Sequence, residues 1–369
     1  IIEETDFIPT EHSIKKIFGL FGGSKKGPLT ATIQPSGQTF EVPKNNTLLQ
    51  TALNAGVNFP FHCTVGTCGN CRCKLVEGDV KAIMDFSYTL SEAELDEGYI
   101  LACQSLLKSD VVIELETDEH QPAHPLETFK GTISNTRMLT HDIMEVVVEL
   151  DRTIQFSAGQ FADIGLEGFS RHRSYSFANA PEQNGQKTLS FHVRNVPGGD
   201  YTQWLFEKDR KGESFELHGP SGAFWLRTSE APILGIAGGS GMAPLKSILD
   251  DAFNNNIKRP VTYLFGARTQ RDLYCLDEMK TLEEKWPATF KFIPVLSEEP
   301  DDSDWAGKRG LVTDFINDET AGFSVSESHA YLCGPPGMID ATLVKLEQAN
   351  VSLNHIHYDK FLDSRQLEN

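Results

Sequence analysis

The chain has 369 residues, with 33 Lys and Arg against 52 Asp and Glu, a net charge of −19 with histidine neutral. Such an acidic excess excludes nucleic acid as principal partner, because phosphate contacts need Lys and Arg to displace condensed counterions. A 39% hydrophobic, 23% charged composition excludes a disordered or collagenous chain, and the length predicts two or three domains.

No run of ~18 apolar residues and no secretory signal pattern is present, so a cytoplasmic protein is expected. Residues 1–28 read as an N-terminal extension ending in a Gly/Ser/Lys linker. Within it Ile14, Ile17, Phe18 and Phe21 recur at helical spacing beside Lys15 and Lys16. That apolar face, at 13–21, could dock on the inner membrane surface, on a membrane-embedded partner, or on the protein's own domain. Residues 29–118 show short strand signals around a predicted helix at 48–55, with Thr47 as N-cap and Gly56 as stop. A Pro- and His-containing linker follows at 119–126. From 124 to 228, strand-like runs at 143–150, 161–164 and 189–193 alternate with turn residues, which predicts an antiparallel β-barrel or sandwich. From 231 to 364 the period changes. Apolar runs at 233–237, 261–265, 290–295 and 330–333 alternate with helical stretches at 244–253, 276–285 and 338–349. That pattern predicts a doubly wound parallel α/β sheet.

Seven cysteines occur, at 63, 68, 71, 73, 103, 275 and 333. Clustered in a long chain without a signal sequence, they point to metal or redox chemistry before disulfides. Cys63-x4-Cys68-x2-Cys71, with Cys103 farther on, has the spacing of plant-type [2Fe-2S] ferredoxins. Between them Gly66, Thr67, Gly69 and Asn70 are small enough to let backbone N–H groups face sulfur. A zinc knuckle is the competing reading, but zinc sites pair cysteines more tightly, as C-x2–4-C twice. Cys73, on a strand-like run at 73–76, and Cys275 are assigned to packing.

Arg173-Ser174-Tyr175-Ser176 combines a fork for phosphate, a ring that can stack on a heterocycle and hydroxyls for its heteroatoms. Val193-Arg194-Asn195-Val196-Pro197-Gly198-Gly199-Asp200-Tyr201-Thr202 places glycines just before a helical stretch, whose free N–H groups suit a pyrophosphate. Gly238-Gly239-Ser240-Gly241 follows an apolar strand and opens a helix, and Cys333-Gly334-Pro335-Pro336 repeats that device at the end of another strand. Dinucleotides lie at such strand ends. A third strand ends in Gly266-Ala267-Arg268, followed by Arg271 and Asp272. Asp272 could accept bonds from an adenosine ribose, favouring NADH, whereas Arg268 and Arg271 could hold the 2′-phosphate of NADPH; the reading leans to NADH.

Together, in this order, these motifs resemble the ferredoxin-NADP reductase superfamily. More narrowly, they resemble the reductase components of bacterial multicomponent oxygenases. The resemblance covers about residues 29–361, and within the group the chain is most similar to the electron-transfer components of xylene and toluene side-chain monooxygenases. It implies a β-grasp [2Fe-2S] ferredoxin domain at 29–118, an FAD-binding β-barrel at 124–228 and an NAD-binding α/β domain at 231–364. The cluster would be held by Cys63, Cys68, Cys71 and Cys103. FAD would be held by Arg173, Ser174, Tyr175, Ser176, His192, Val193, Arg194, Gly198, Gly199 and Thr202. Arg173 would bind its phosphates, Tyr175 would stack on the isoalloxazine and Ser176 would lie near N5. NADH would bind at Gly238, Gly239, Ser240, Gly241, Asp272, Gly334 and Pro335, with Cys333 beside the nicotinamide and Phe361 or Tyr358 covering the flavin. Ser176 and Cys333 are the implied catalytic residues. The implied activity is NADH-dependent electron transfer through FAD and the cluster to a terminal oxygenase, a di-iron hydrocarbon hydroxylase that could be membrane-bound. The alternatives are a soluble di-iron or Rieske oxygenase as acceptor, or a redox-sensing regulatory protein without turnover. Between residues 30 and 120, 5 Lys and Arg stand against 13 Asp and Glu, a charge of −8 that would steer a basic partner or merely solvate the surface.

Overall fold

The structure, a computed structural model, describes residues 27–57, 59–61, 66, 69, 71–115, 124–169 and 171–361. The helical face expected at 13–21, and Cys63 and Cys68, lie outside them. Among the described residues the main strands form three sheets.

The first part of the chain runs β1 (Leu29–Gln34), β2 (Thr39–Val42), α1 (Leu48–Asn54), β3 (Arg72–Glu77), β4 (Val80–Ala82), α2 (Glu92–Asp96), β5 (Tyr99–Leu101), β6 (Ser105–Leu107) and β7 (Val111–Glu114). Its sheet has the order β2-β1-β7-β3-β5, with β1 and β7 parallel at the centre. Leu48, Leu49 and Ala52 of α1 pack on Ile33, Leu101, Val111 and Ile113, giving the β-grasp core. Thr47 caps α1 as its spacing predicts, accepting from Gln50 N at 3.2 Å.

The middle part contains β8 (Glu127–Met138), β9 (Ile143–Ile154), β10 (Phe161–Gly165), β11 (Arg173–Ser176), β12 (Gln186–Arg194), α3 (Asp200–Glu207) and β13 (Ser214–Ser221). They form one antiparallel sheet, β11-β10-β13-β8-β9-β12. A bridge between Phe177 and Phe191 draws its two ends together, so the sheet closes into a barrel rather than a sandwich. Alternation along the strands turns Val146, Val148, Ile164, Phe191, Val193 and Phe215 inward, and Tyr201 and Leu205 of α3 join that core.

The last part runs β14 (Ile233–Gly238), α4 (Met242–Asn254), β15 (Val261–Ala267), α5 (Leu276–Lys285), β16 (Phe290–Leu296), β17 (Lys308–Arg309), α6 (Asp318–Ala321), β18 (His329–Gly334), α7 (Pro336–Gln348) and β19 (Ile356–Lys360). Its strands are parallel in the order β17-β16-β15-β14-β18-β19. Residues alternate between two cores. Ile233, Val261, Tyr263 and Phe265 meet α4 and α5 on one face. Leu234, Ile236, Leu264 and Leu332 meet α7 on the other. Strands buried on both faces explain why these segments read as continuous apolar runs. The order reverses between β14 and β18, the switch point at which such sheets bind ligands. β19 had no counterpart among the expected strands: its sequence, Ile-His-Tyr-Asp-Lys, is too polar to read as a buried run.

Candidate redox site

Cys71 immediately precedes β3, and Cys103 lies in a short 3-10 turn directly after β5; both are buried. Pairing of Arg72 with Leu101 brings the two segments side by side. Cys103 N–H then donates to Cys71 Sγ at 3.4 Å. Gly66 and Gly69 have φ of +89° and +76°, conformations that L side chains rarely adopt. A Cβ at Gly66 would run into Met84 and Gln104, and one at Gly69 would lie 2.9 Å from Tyr358 Oη. Thr89 Oγ1 ties the loop down by donating to Gly66 O at 2.5 Å. Adjacent buried thiols, a backbone donor on sulfur and a loop in which side chains have no room fit a [2Fe-2S] cluster. Cys73 is turned into the domain core, where desolvation pushes its thiol well up.

Arg72 was not among the sequence candidates, and it joins this loop to the last domain. Nη1 donates to the buried carboxylate of Glu94 at 2.5 Å, and Nη2 donates to Ile356 O at 3.4 Å. The guanidinium lies 5.6 Å from the centre of the Tyr358 ring. Tyr99 Oη adds a bond to Asn354 Oδ1 at 3.3 Å. The cluster loop is thereby seated on the start of β19.

On the barrel, β11 pairs with β10 so that Arg173 and Tyr175 share one face and Ser174 and Ser176 the other. Arg173 leans on the carbonyl of His172 at 3.1 Å. The Tyr175 ring is half-buried against Tyr201, with ring centres 5.8 Å apart, and burial pushes its phenol well up. Ser176 is buried, whereas Ser174 is exposed and donates to Asp163 Oδ1 at 2.5 Å. Along β12 the Val193 side chain faces the barrel core, so only its backbone is left for a ligand. His192 is turned toward the last domain, edge-on to Tyr274 with ring centres 5.4 Å apart. Desolvation pushes its imidazole down to about 3, and its buried Nδ1 has no protein partner. Such an orphaned atom suits the polar edge of a bound flavin. Gly198 is exposed at φ +77°, whereas Thr202 Oγ1 shapes the turn itself, accepting from Val196 N at 3.1 Å. Asp200 opens α3 and adds a carboxylate to the helix end expected for pyrophosphate.

At the switch point the two glycine turns nest. A Cβ at Gly241 would collide with the Cys333 carbonyl, and one at Gly238 would lie 2.7 Å from Met338 Sδ. Ser240 stays half-exposed between them. Gly239 O accepts from Tyr274 Oη at 2.9 Å. Cys333 is fully buried, and desolvation, reinforced by Asp359, holds its thiol protonated. Gly334 O accepts from Phe361 N at 2.8 Å, and Pro335 is the N-cap of α7. Phe361 packs on the cluster that contains Cys333, Ala158 and Phe224, whereas Tyr358 faces the iron-sulfur loop. The structure therefore separates the two aromatics that the sequence offered as flavin covers. The Asp272 carboxylate, which the sequence offers to a ribose, is engaged within the protein. Its oxygens take Arg268 Nη2 at 2.6 Å, Thr269 N at 2.9 Å and Thr269 Oγ1 at 3.0 Å. Burial opposes its charge, but these bonds hold the carboxyl below its usual range.

Three family models match in the order of the three sheets. They are the 2Fe-2S iron-sulfur cluster binding domain over residues 31–108, the oxidoreductase FAD-binding domain over 130–225 and the oxidoreductase NAD-binding domain over 236–343. The chain is 42% identical to the xylene/toluene monooxygenase electron transfer component of Pseudomonas putida, over 94% of this chain and 97% of that one. It is 36% identical to the phenol 2-monooxygenase reductase component of Pseudomonas sp., over 89% and 93%. Among solved structures, the Amycolatopsis cytochrome P450 reductase GcoB superimposes with a TM-score of 0.70 at 32% identity, over 91% of this chain and 99% of that one. The chain thus belongs to the flavin and iron-sulfur reductase components of multicomponent oxygenases, and it passes electrons from NADH through FAD and a [2Fe-2S] cluster to an oxygenase partner.

Proposed function

We propose that the oxygenase served by this chain is a di-iron hydrocarbon hydroxylase, and that the chain takes NADH at the β14/β18 switch point. The observation that carries the choice of partner is the near full-length likeness to the xylene/toluene electron transfer component. FAD supplies the ability to accept two electrons as hydride and to release them singly, which a [2Fe-2S] cluster requires. The residues of this chain bind and orient. Arg173 neutralises flavin phosphate, Tyr175 offers a ring face, and Ser176 and the neutral His192 offer polar atoms to the flavin edge. Gly198, Gly199 and Arg194 border the pyrophosphate. Gly238 to Gly241, Gly334 and Pro335 let the dinucleotide approach the backbone. Cys333, buried and protonated, shapes the nicotinamide end, and Phe361 covers the flavin. Cys63 and Cys68 complete the ligand set of Cys71 and Cys103. The domains extend over 29–118, 124–228 and 231–364, and the face at 13–21 makes a peripheral contact with a membrane or a membrane-embedded hydroxylase.

Among the described residues no helix is long and apolar enough to cross a membrane. A second acceptor class is favoured by relatives such as the 33% identical reductase component of the Pseudomonas putida naphthalene 1,2-dioxygenase system. Anaerobic NADH titration should bleach the flavin absorbance and then produce a rhombic [2Fe-2S] EPR signal. Reconstitution with the oxygenases of the xylene/toluene, phenol and naphthalene systems decides the partner. Preferential coupling to the dioxygenase would overturn the di-iron reading. NADH oxidation confined to artificial acceptors would support the sensor.

A further inference from the structure

We propose that Tyr358 of β19 positions the iron-sulfur loop for electron transfer inside the molecule, by resting its phenol on Gly69 and tying the loop to the strand that leads into Phe361. The proposal rests on the ligand set of Cys63, Cys68, Cys71 and Cys103. Electron transfer between two bound cofactors falls steeply with their separation, so the seat of the loop against the other domains governs its rate. Gly69 stands in the chain between Cys68 and Cys71. A Cβ added there would meet Tyr358 Oη at 2.9 Å, Thr89 Cγ2 at 3.5 Å and Tyr358 Cε2 at 3.6 Å. Thr89 belongs to the loop's own domain and Tyr358 to the last one. The phenol of Tyr358 is thus the part of the last domain that meets the loop backbone between two ligands.

Tyr358 is firmly held. Its residue is 8% exposed, and the Arg72 guanidinium and Lys360 Nζ each lie 5.6 Å from the centre of its ring. Arg72 is anchored in turn by Glu94 Oε1 and Ile356 O, and Lys360 by Asp340 at 2.7 Å. Parallel pairing of β19 with β18 sets Tyr358 opposite Leu332, Asp359 opposite Cys333 and Lys360 opposite Gly334. Phe361 N then donates to Gly334 O at 2.8 Å. One strand therefore carries the contact with the loop and, three residues farther on, the aromatic on the Cys333 side. Its register on β18 turns that short sequence separation into a fixed distance in space. Arg72 grips the start of β19 at Ile356, whereas Tyr358 sets how close the ligand-bearing turn itself can come.

The test uses the full-length holoprotein and needs no oxygenase. In Y358L, with Y358A as a second variant, NADH should bleach the flavin at the wild-type rate. Reduction of the cluster that follows, read anaerobically by stopped flow, should slow by about tenfold or more. Y358F keeps the ring and should restore most of that rate. The midpoint potential of the cluster, from an EPR-monitored titration, separates position from driving force. Loss of the ring admits water beside Gly69, and a reduced cluster, being the more negative form, gains more from solvation, so the potential should rise. A higher potential draws the electron in, and a slower arrival then reports lost position. Wild-type cluster reduction in both Y358L and Y358A would overturn the proposal, as would a slower rate with a lower potential, or loss of iron from both variants. A wild-type protein without a rhombic EPR signal after NADH would instead bring down the ligand assignment itself.

Discussion

Cys71 and Cys73 stand two residues apart yet meet different environments, because one closes the loop before β3 and the other points from that strand into the core. Cys73→Ala should leave iron content and visible spectrum unchanged, at a stability cost of about 1–2 kcal/mol for the small cavity. Cys71→Ser and Cys103→Ser should lose the cluster. Iron analysis of the three variants checks this, and loss of iron in the Cys73 variant would reassign it as a ligand. The spacing of Cys63, Cys68, Cys71 and Cys103 points to a ligand set because four thiolates around one cluster require a short loop and one distant return. Asp142 was not legible. Its partner Arg268 lies 126 positions away, and no local pattern announces a contact across that separation.

At the scale of elements, the short helix α2 matters through one residue. Glu94 serves the capping box with Ser91 and also pairs with Arg72, its own side chain being 3% exposed. Glu94→Gln should leave Arg72 without its counter-charge and cost about 2 kcal/mol, below the value for a fully buried pair because Arg72 keeps some solvent contact. Faster amide exchange at residues 66–72, and at 354–358 where Arg72 touches β19, would register it. Gly241→Ala places a Cβ against the Cys333 carbonyl and should push the start of α4 outward. The expected result is a drop of at least about tenfold in kcat/KM for NADH, as an ångström-scale shift of binding geometry is amplified in rate, with an unaltered iron-sulfur spectrum. An active alanine variant would mean that the two turns can separate. In the last domain β14, β15, β16 and β18 and the helices α4, α5 and α7 could be read from the period of their apolar residues. β19 could not, because its polar residues are taken into the interior of the domain, with Lys360 paired to Asp340 of α7 at 2.7 Å and the His357 ring against Tyr331.

For the whole molecule, protonation of buried histidines sets the acid limit. Desolvation pushes His329 down to about 4 and His192 to about 3, and it pushes His357 well down. The ordinary histidine value is about 6.5, so between that value and about 4 the unfolded chain binds more protons than the native one. Stability should therefore be full above pH ~6.5 and fall progressively as the pH is lowered toward 4. Thermal melts across that range check the sign, and H329Q should flatten the lower part of the curve. Charge acts at the same scale. The −8 of residues 30–120 predicts that electron delivery to a basic acceptor protein slows as ionic strength rises, whereas reduction of ferricyanide should not slow in parallel.

The sequence by itself determined the three domains, their order and the cofactor classes. Each of these depends on local spacing: thiols around a small loop, glycines at a strand end, apolar residues at period two or between helices. Tertiary structure alone decided which neighbour each polar group serves. It directed Tyr358 to the iron-sulfur loop and Phe361 to the Cys333 side, and it engaged Asp272 with Arg268 and Thr269. It also recruited Arg72 and Asp142 as contacts between domains. The physical reason is that a hydrogen bond or ion pair depends on distances of a few ångströms, and such distances between residues remote in the chain exist only once the domains have packed.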